Sequence, residues 1–173
     1  AAKFEGYYKN PEATAKRVRN GWTWSGDLAY RDKDGFWYFA GRTDDWLRVD
    51  GENIAAAPVE RLLARYEAFA DVAVYAVPDE RVGDQVMAAV TLAPNRTFDP
   101  ASFMTFLKAQ PDLGVKWTPR YVRVMRELPR TPTNKVLKRP LRAEACNTTD
   151  PLYEHRNGTY ERVSPSAPQS SGR

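Results

Sequence analysis

Two apolar segments in the middle of the chain constrain its fold most. Residues 72–77 form the longest unbroken apolar run, six residues in length, and residues 86–92 form a second run after a polar connection that contains Pro78 and Gly83. Short apolar runs bounded by turn residues are typical of buried strands. A membrane-spanning helix needs about 20 apolar residues, so the sequence predicts no transmembrane segment.

The segments around these runs predict strands that alternate with helices. A helix is predicted at 11–18, where Asn10 can cap the first turn and Pro11 suits the first helical position. The sequence Asp32-Lys33-Asp34-Gly35 predicts the turn of a hairpin over 28–41. Further helices are expected at 58–65, 100–109 and 138–145, strands at 45–50 and 121–125, and a proline-bearing loop at 128–135. These elements predict an α/β or α+β layered domain over 46–145.

The composition excludes several kinds of site. The chain has 173 residues with one cysteine, Cys146, and one histidine, His155. One cysteine excludes an internal disulfide framework, and this pair argues against a zinc cluster or a Ser-His-Asp triad. The chain starts at Ala1 without an apolar leader, from which we expect a piece of a longer, cytosolic protein.

The charge is concentrated in one segment. Lysine and arginine number 26 against 22 acidic residues, a net charge of +4, yet residues 115–142 hold nine basic residues and one acid, Glu127. The nine are Lys116, Arg120, Arg123, Arg126, Arg130, Lys135, Lys138, Arg139 and Arg142. Such a basic block fits a polyanionic partner, namely nucleic acid, phosphate ligands or an anionic membrane. It also fits a solvated face beside acidic neighbours.

Four short segments follow one another in a recognisable order. They are Trp24-Ser25-Gly26-Asp27-Leu28, Gly41-Arg42-Thr43-Asp44-Asp45, Val49-Asp50-Gly51-Glu52-Asn53-Ile54 with Glu60, and Leu128-Pro129-Arg130-Thr131-Pro132-Thr133-Asn134-Lys135. Over residues 4–142 the chain thereby resembles the C-terminal part of the adenylate-forming superfamily, which includes acyl-CoA synthetases, peptide-synthetase adenylation domains and luciferases.

The resemblance implies a fold and a division of the chain. The expected class is α+β, with a small mixed sheet flanked by helices and preceded by a β-hairpin arm. Residues 1–43 would end the N-terminal AMP-binding domain, 44–45 would be the hinge, 46–145 the C-terminal domain and 146–173 a tail. The rest of the N-terminal domain, with the phosphate loop and the acyl pocket of the family, is missing from these residues.

The resemblance also assigns roles at the domain boundary. Asp27 stands where the family holds the nucleotide ribose, and a carboxylate suits a vicinal diol; by itself, Asp27 could equally be a turn residue after Gly26. Arg42 would reach ribose or phosphate oxygens, or be a surface arginine at a strand end. Asp44 would be the hinge about which the domain rotates, although Asp44 and Asp45 together could be no more than a polar turn.

A glycine-bearing loop is implied to serve thioester formation. In the family it enters the active site, and Gly51, with neighbours Glu52 and Asn53, would let the pantetheine arm of CoA pass close to the backbone because glycine has no Cβ. A hairpin glycine at positive φ is the alternative. The sequence Gly-Glu-Asn-Ile is more similar to acyl-CoA ligases than to peptide-synthetase domains.

The lysine of the fourth segment is the implied catalytic residue. Lys135 would bridge the carboxylate and the α-phosphate during adenylation, where an ammonium group neutralises developing negative charge. Pro129 and Pro132 are expected to keep the loop extended. Asn134 replaces the usual glycine, and asparagine tolerates the left-handed region. Lys138, Arg139 and Arg142 would help to dock the phosphates of CoA or stay solvated.

These assignments predict a C-terminal part of an ATP-dependent fatty acid–CoA ligase. The implied cofactors are ATP, CoA and Mg²⁺, with the metal ligand in the N-terminal domain and no metal site here. Asp150-Pro151-Leu152-Tyr153 and Gly158-Thr159-Tyr160 are similar to the tail of very-long-chain synthetases. We expect a cytoplasmic protein that binds no nucleic acid, with peripheral membrane contact and an arm-mediated homodimer left open.

Three alternatives remain from the sequence. One is a stand-alone basic module that binds nucleic acid or anionic lipid; only Trp117 and Tyr121 place aromatics in the basic block, which counts against it. Another is a fragment of a peptide-synthetase-type adenylation domain. The last is a catalytically dead relative used for docking. The presence of both Lys135 and Asp27 argues against this alternative.

Overall fold

The computed structural model describes residues 4–42, 45–79 and 81–163. The chain divides into two compact units, Ala1–Asp44 and Asp45–Arg173. Thr43 and Asp44 lie outside the described residues, and so does the segment from residue 164 on. None of the described helices has the length and hydropathy of a membrane-spanning segment.

The first unit consists of one helix and short antiparallel strands. Helix α1 is Pro11–Arg17, and β1 (Val18–Arg19) pairs with β2 (Trp22–Thr23). The Asn10 side chain accepts a hydrogen bond from the Ala13 N–H at 3.0 Å, which confirms the predicted cap. Strands β3 (Asp27–Arg31) and β4 (Trp37–Arg42) form the predicted hairpin. In its turn, Asp32 Oδ1 accepts from the N–H groups of Asp34 and Phe36.

The first unit has almost no buried interior. Among residues 4–42 only Gly41 is buried. The exposed large side chains are mainly aromatic: Tyr7, Tyr8, Trp22, Trp24, Tyr30, Phe36, Trp37, Tyr38 and Phe39. An isolated hairpin is marginally stable in water unless it packs against something else. The first unit therefore lacks the apolar core that would stabilise it by itself.

The second unit is built on a seven-stranded mixed sheet. Its elements in chain order are β5 (Trp46–Val49), β6 (Glu52–Ala55), α2 (Ala56–Leu63), β7 (Phe69–Asp79), β8 (Gly83–Leu92), α3 (Pro100–Lys108), β9 (Tyr121–Met125), α4 (Lys138–Glu144), β10 (Leu152–Arg156) and β11 (Thr159–Val163). The strand order is β11-β10-β9-β8-β5-β6, and β7 also pairs with β8. The β8–β9 pair is parallel and the other pairs are antiparallel. The predicted α+β class with a mixed sheet is confirmed.

The long β7–β8 hairpin is buried on both faces, which explains its apolar sequence. Val74 faces one apolar cluster together with α2 and α3, whereas its neighbours Ala73 and Tyr75 face a second cluster that includes Leu141 of α4. Successive residues of a strand point to opposite faces, so a strand covered on both sides reads as continuously apolar. The two runs at 72–77 and 86–92 are therefore the centre of the domain.

The C-terminal end of the domain corrects one prediction. Residues 152–163, which we assigned to a tail, form the β10–β11 hairpin, and β10 extends the sheet at β9. Tyr160 is buried and its hydroxyl donates to the Pro119 carbonyl at 2.6 Å. The turn is Asn157-Gly158, with φ of 50° and 80°, a sequence typical of hairpins. The domain thus extends beyond the predicted limit at residue 145.

Candidate functional site

The structure brings two predicted site residues of the first unit together. Asp27 and Arg42 are directly opposite each other at the open end of the β3–β4 hairpin. Arg42 Nε lies 3.2 Å from Asp27 Oδ1, and both side chains are about half exposed, at 48% and 46%. The pair presents a carboxylate acceptor beside guanidinium donors at an accessible edge. Such a pair can accept hydrogen bonds from hydroxyl groups and donate to phosphate oxygens.

A further arginine, which the sequence reasoning missed, fixes the segment before Asp27. Arg17 Nη1 donates to the carbonyls of Trp24 at 3.1 Å and Ser25 at 2.6 Å. Arg42 Nη2 donates to the same Ser25 carbonyl at 3.0 Å. A cleft of about 440 Å³ opens beside this segment, lined by Lys16, Arg17, Arg19, Trp24, Gly26, Asp27 and Leu28. Of its three cations, Lys16 is paired with Glu12 at 2.9 Å and Arg17 donates to the two carbonyls, so a small positive excess remains beside Asp27.

The Gly51 loop is the tight turn between β5 and β6. Val49 pairs with Glu52, which leaves Asp50 and Gly51 as the two turn residues, with φ of 47° and 80°. Positive φ at both positions is typical of Asp-Gly hairpin turns. A Cβ at Gly51 would meet no atom within 4 Å. The backbone conformation therefore requires the glycine, and the space beside it is open to a ligand.

The Lys135 loop is more compact than predicted. Instead of running extended between its prolines, it closes on itself: the Thr131 N–H donates to the Lys135 carbonyl at 2.8 Å, and Arg130 pairs with Val136. The Lys135 N–H donates in return to Thr131 Oγ1 at 3.0 Å. Asn134 has φ of 65°, the left-handed conformation that asparagine tolerates. The closed turn leaves the Lys135 side chain exposed.

Most cations of the basic block are paired within the second unit. Ion pairs join Lys116 to Asp50 and Glu52, Arg120 to Glu154, Arg123 to Glu144 and Asp150, Arg130 to Asp71, Lys138 to Asp45 and Glu60, and Arg142 to Asp45. Within the described part of the chain, Arg126, Lys135 and Arg139 have no ion pair. The block therefore fits the alternative of acidic neighbours better than that of a polyanion-binding surface.

Glu60, the last residue of the third segment, links three elements of the domain. Its Oε1 accepts the Val74 N–H at 2.8 Å and lies 2.8 Å from Lys138 Nζ. Through these contacts one carboxylate joins α2 to β7 and to α4. Lys138 is thereby occupied inside the domain, as is Arg142, whose Nη2 lies 3.0 Å from Asp45 Oδ1. These two cations are less available to CoA phosphates than we predicted.

Comparison with known proteins identifies the family. Residues 58–135 match the family described as AMP-binding enzyme C-terminal domain. Residues 58–135 therefore carry the C-terminal domain of an AMP-binding enzyme. Since the match begins in α2 and ends at Lys135, it contains the β7–β8 hairpin and the closed loop. It leaves out the Gly51 turn and the β10–β11 hairpin.

The sequence relatives of this chain include a CoA synthetase and a CoA ligase. It is 56% identical over 153 residues to the steroid-22-oyl-CoA synthetase of Rhodococcus jostii, covering 88% of the chain and 28% of that protein. It is 57% identical over 150 residues to a medium/long-chain-fatty-acid–CoA ligase of Mycobacterium tuberculosis, covering 87% of the chain and 30% of that protein. The chain thus spans less than a third of the length of these relatives.

Solved structures of other AMP-binding enzymes share the fold. The o-succinylbenzoate CoA synthetase MenE from Bacillus subtilis, in complex with the acyl-adenylate intermediate OSB-AMP, matches with a TM-score of 0.68 and 30% identity over 79% of this chain and 28% of that one. ATP-bound MatB from Rhodopseudomonas palustris matches with a TM-score of 0.69 and 28% identity over 80% of this chain and 27% of that one.

Proposed function

We propose that this chain is a C-terminal part of an ATP-dependent ligase that joins a fatty acid to CoA. The observation that carries the proposal is the identity of 56–57%, over almost nine tenths of the chain, to a steroid-22-oyl-CoA synthetase and a medium/long-chain-fatty-acid–CoA ligase. In the first step the acid's carboxylate attacks the α-phosphate of ATP, forming acyl-AMP and releasing pyrophosphate. In the second step the CoA thiol takes the acyl group, and AMP and a proton leave.

The adenylation step would use Lys135 and the Asp27–Arg42 pair. Negative charge builds up as carboxylate and phosphate approach each other, and a positioned cation stabilises it. Lys135 suits this role because its side chain is exposed on a loop closed by its own backbone. Asp27 would accept hydrogen bonds from the ribose hydroxyls, and Arg42, already 3.2 Å from it, would donate to ribose or phosphate oxygens.

The thioester step would use the turn that contains Gly51, Glu52 and Asn53. The open space at Gly51 fits an unbranched ligand such as the pantetheine arm, which must approach the backbone closely. Asp44 would be the hinge that lets the domain present either loop to the active site. Separate loops for the two half-reactions are consistent with the described contacts, in which no hydrogen bond or ion pair joins the Lys135 loop to the Gly51 turn.

The remaining machinery would lie in the N-terminal domain. Residues 1–43 would belong to it, since their exposed aromatics need a partner surface. Among the described residues no group of three or more acidic, histidine or cysteine side chains could hold a metal. The family resemblance implies that the ligands of Mg²⁺, which would neutralise the phosphates of ATP, lie in that domain. A cytoplasmic location, with or without peripheral membrane contact, is part of the proposal.

The test uses the full-length enzyme that contains this chain. Acid-dependent exchange of pyrophosphate into ATP measures the first step, and CoA-dependent release of AMP measures the second. We expect both with fatty acids, and a series that runs from short to very long chains and includes acids with a steroid ring system would define the substrate. Absence of exchange with every acid would refute the proposal. Salt-sensitive binding of DNA or anionic vesicles without ATP would instead favour the basic module.

A further inference from the structure

Lys116 contacts the Gly51 turn from a distant part of the chain. It lies in a short 3-10 turn, Val115–Trp117, between α3 and β9. Its Nζ is 2.8 Å from Glu52 Oε1 and 3.2 Å from Asp50 Oδ2, and it donates to the Asp50 carbonyl at 3.1 Å. One ammonium group thus contacts both residues that flank Gly51. In the sequence, Lys116 is only one of nine cations in the basic block.

The connection between β7 and β8 holds the same turn through the backbone. The Asp50 N–H donates to the Val82 carbonyl at 2.9 Å. Next to it, Val49 pairs with Gly83, and the Arg48 N–H donates to Asp84 Oδ2 at 2.8 Å. With Lys116 on its carbonyl, Asp50 therefore has both backbone groups bound by residues outside the β5–β6 hairpin. These contacts hold a non-glycine residue at a φ of 47°.

The backbone around Lys116 is held in place by the packing of its neighbour Trp117. The neighbouring Trp117 packs against the larger apolar cluster, and its N–H donates to the Gly114 carbonyl at 2.9 Å. A Cβ at Gly114 would lie 2.9 Å from Trp117 Cδ1, so only glycine allows this close approach. The side chain of Lys116 is 31% exposed. A lysine fixed at its base and partly covered can hold the turn in a defined place.

The charges explain why a cation is needed here. Asp50 and Glu52 place two carboxylates on either side of Gly51. The hydrogen bond to Glu52, with the nearby Asp50, raises the pKa of Lys116 against the opposing effect of desolvation, so the ammonium stays protonated. Without it, the two carboxylates would repel each other and would repel the phosphates of an approaching CoA.

We propose that Lys116 is a positioning residue for thioester formation: it holds the Asp50–Gly51 turn in shape and cancels the carboxylate charge beside the path of CoA. This inference rests on the proposed function. Lys116 acts through the turn and takes no part in the chemistry itself. Its loss should therefore affect the second half-reaction and leave the first intact.

The experiment compares two lysine variants in the full-length enzyme. Lys116→Met removes the charge and keeps the length, and Lys108→Met does the same at an exposed position on α3. We expect Lys116→Met to raise the KM for CoA about tenfold, because interaction energies between contacting residues commonly have this size. The rate of ATP–pyrophosphate exchange should stay within about twofold of that of the unmodified enzyme. Lys116→Arg should recover most of the loss. Adding Glu52→Gln to Lys116→Met should recover part of it by relieving the repulsion.

Two results would overturn the inference. One is a KM for CoA in Lys116→Met equal to that of Lys108→Met, and the other is a parallel loss of both half-reactions, which would indicate general damage. If the unmodified enzyme consumes no CoA, the proposed function fails instead. Hydrogen exchange of the peptide that spans residues 49–54 then decides the structural part. Exchange faster in Lys116→Met than in Lys108→Met supports the positioning role, and equal exchange contradicts it.

Discussion

Replacing Glu60 tests how the domain is held together behind the Lys135 loop. Its carboxylate satisfies the N–H of Val74, which is fully buried, and pairs with Lys138, whose side chain is 14% exposed. Glu60→Ala leaves the amide without a partner, at a cost of about 1–3 kcal/mol. The substitution also removes the nearer of the two carboxylates that pair with Lys138. Because Asp45 stays 3.6 Å from Lys138 Nζ, the lysine keeps one partner, and this loss adds only about 1 kcal/mol. The expected loss is about 3 kcal/mol.

Glu60→Gln separates these two contributions. Glutamine keeps an oxygen for the Val74 N–H and loses only the charge, so we expect a loss of about 1 kcal/mol. Urea unfolding of the 173-residue chain, followed by far-ultraviolet circular dichroism, measures both. With a slope of about 2 kcal/mol per molar urea, the midpoint should fall by about 1.5 M for Glu60→Ala and by about 0.5 M for Glu60→Gln.

A matched control and a clear refutation are available. Glu67→Ala removes a carboxylate that is 87% exposed and pairs with Arg96 at 3.6 Å, and should shift stability by less than about 0.5 kcal/mol. If Glu60→Ala behaves like this control, the reasoning from the buried amide is wrong. If glutamine is as costly as alanine, the ion pair with Lys138 dominates and the amide contributes little.

Three further predictions concern activity and assembly. In the full-length enzyme, Lys135→Ala should slow ATP–pyrophosphate exchange by about 10²–10³-fold and largely spare thioester formation from supplied acyl-AMP; equal slowing of both would contradict the assignment. The isolated chain should release no pyrophosphate above a blank with ATP and a fatty acid, because it lacks positioning worth about 7–11 kcal/mol. Sedimentation across a concentration series should show self-association that disappears when residues 1–43 are deleted, since their aromatics are exposed. A monomer at high concentration with these residues present would count against that expectation.

The sequence predicted those residues of the candidate site that lie in recognisable short segments. Asp27 and Arg42 were singled out from separate segments, and the register of β3 and β4 makes them partners. Their proposed ligand contacts remain predictions, as does the role of Lys135. Asp44, the predicted hinge, lies outside the described residues. Arg17 was missed because nothing in its local sequence indicates that its guanidinium would bind the Ser25 carbonyl.

Local sequence by itself determined the central hairpin, the caps and the strained turns. A strand covered on both faces must be apolar throughout, so the runs at 72–77 and 86–92 predicted buried strands. Asp99 caps α3 by accepting from the N–H groups of Ala101 and Ser102, directly before a proline suited to the first turn. The left-handed φ of Asn134 likewise follows from the residue itself. Each of these effects acts within a few residues.

Only the tertiary structure decided how the charges and the C-terminal strands are used. Arg142 contacts Asp45, which lies 97 positions away in the sequence, and Lys116 contacts Asp50, which lies 66 positions away. No local sequence pattern can indicate a partner at such separations. The sequence therefore left open whether the basic block is a binding surface or a face beside acidic neighbours, and the fold places those acids next to it. The β10–β11 hairpin depends in the same way on the edge of β9, because its short, half-polar strands gain stability only when a neighbouring strand accepts them.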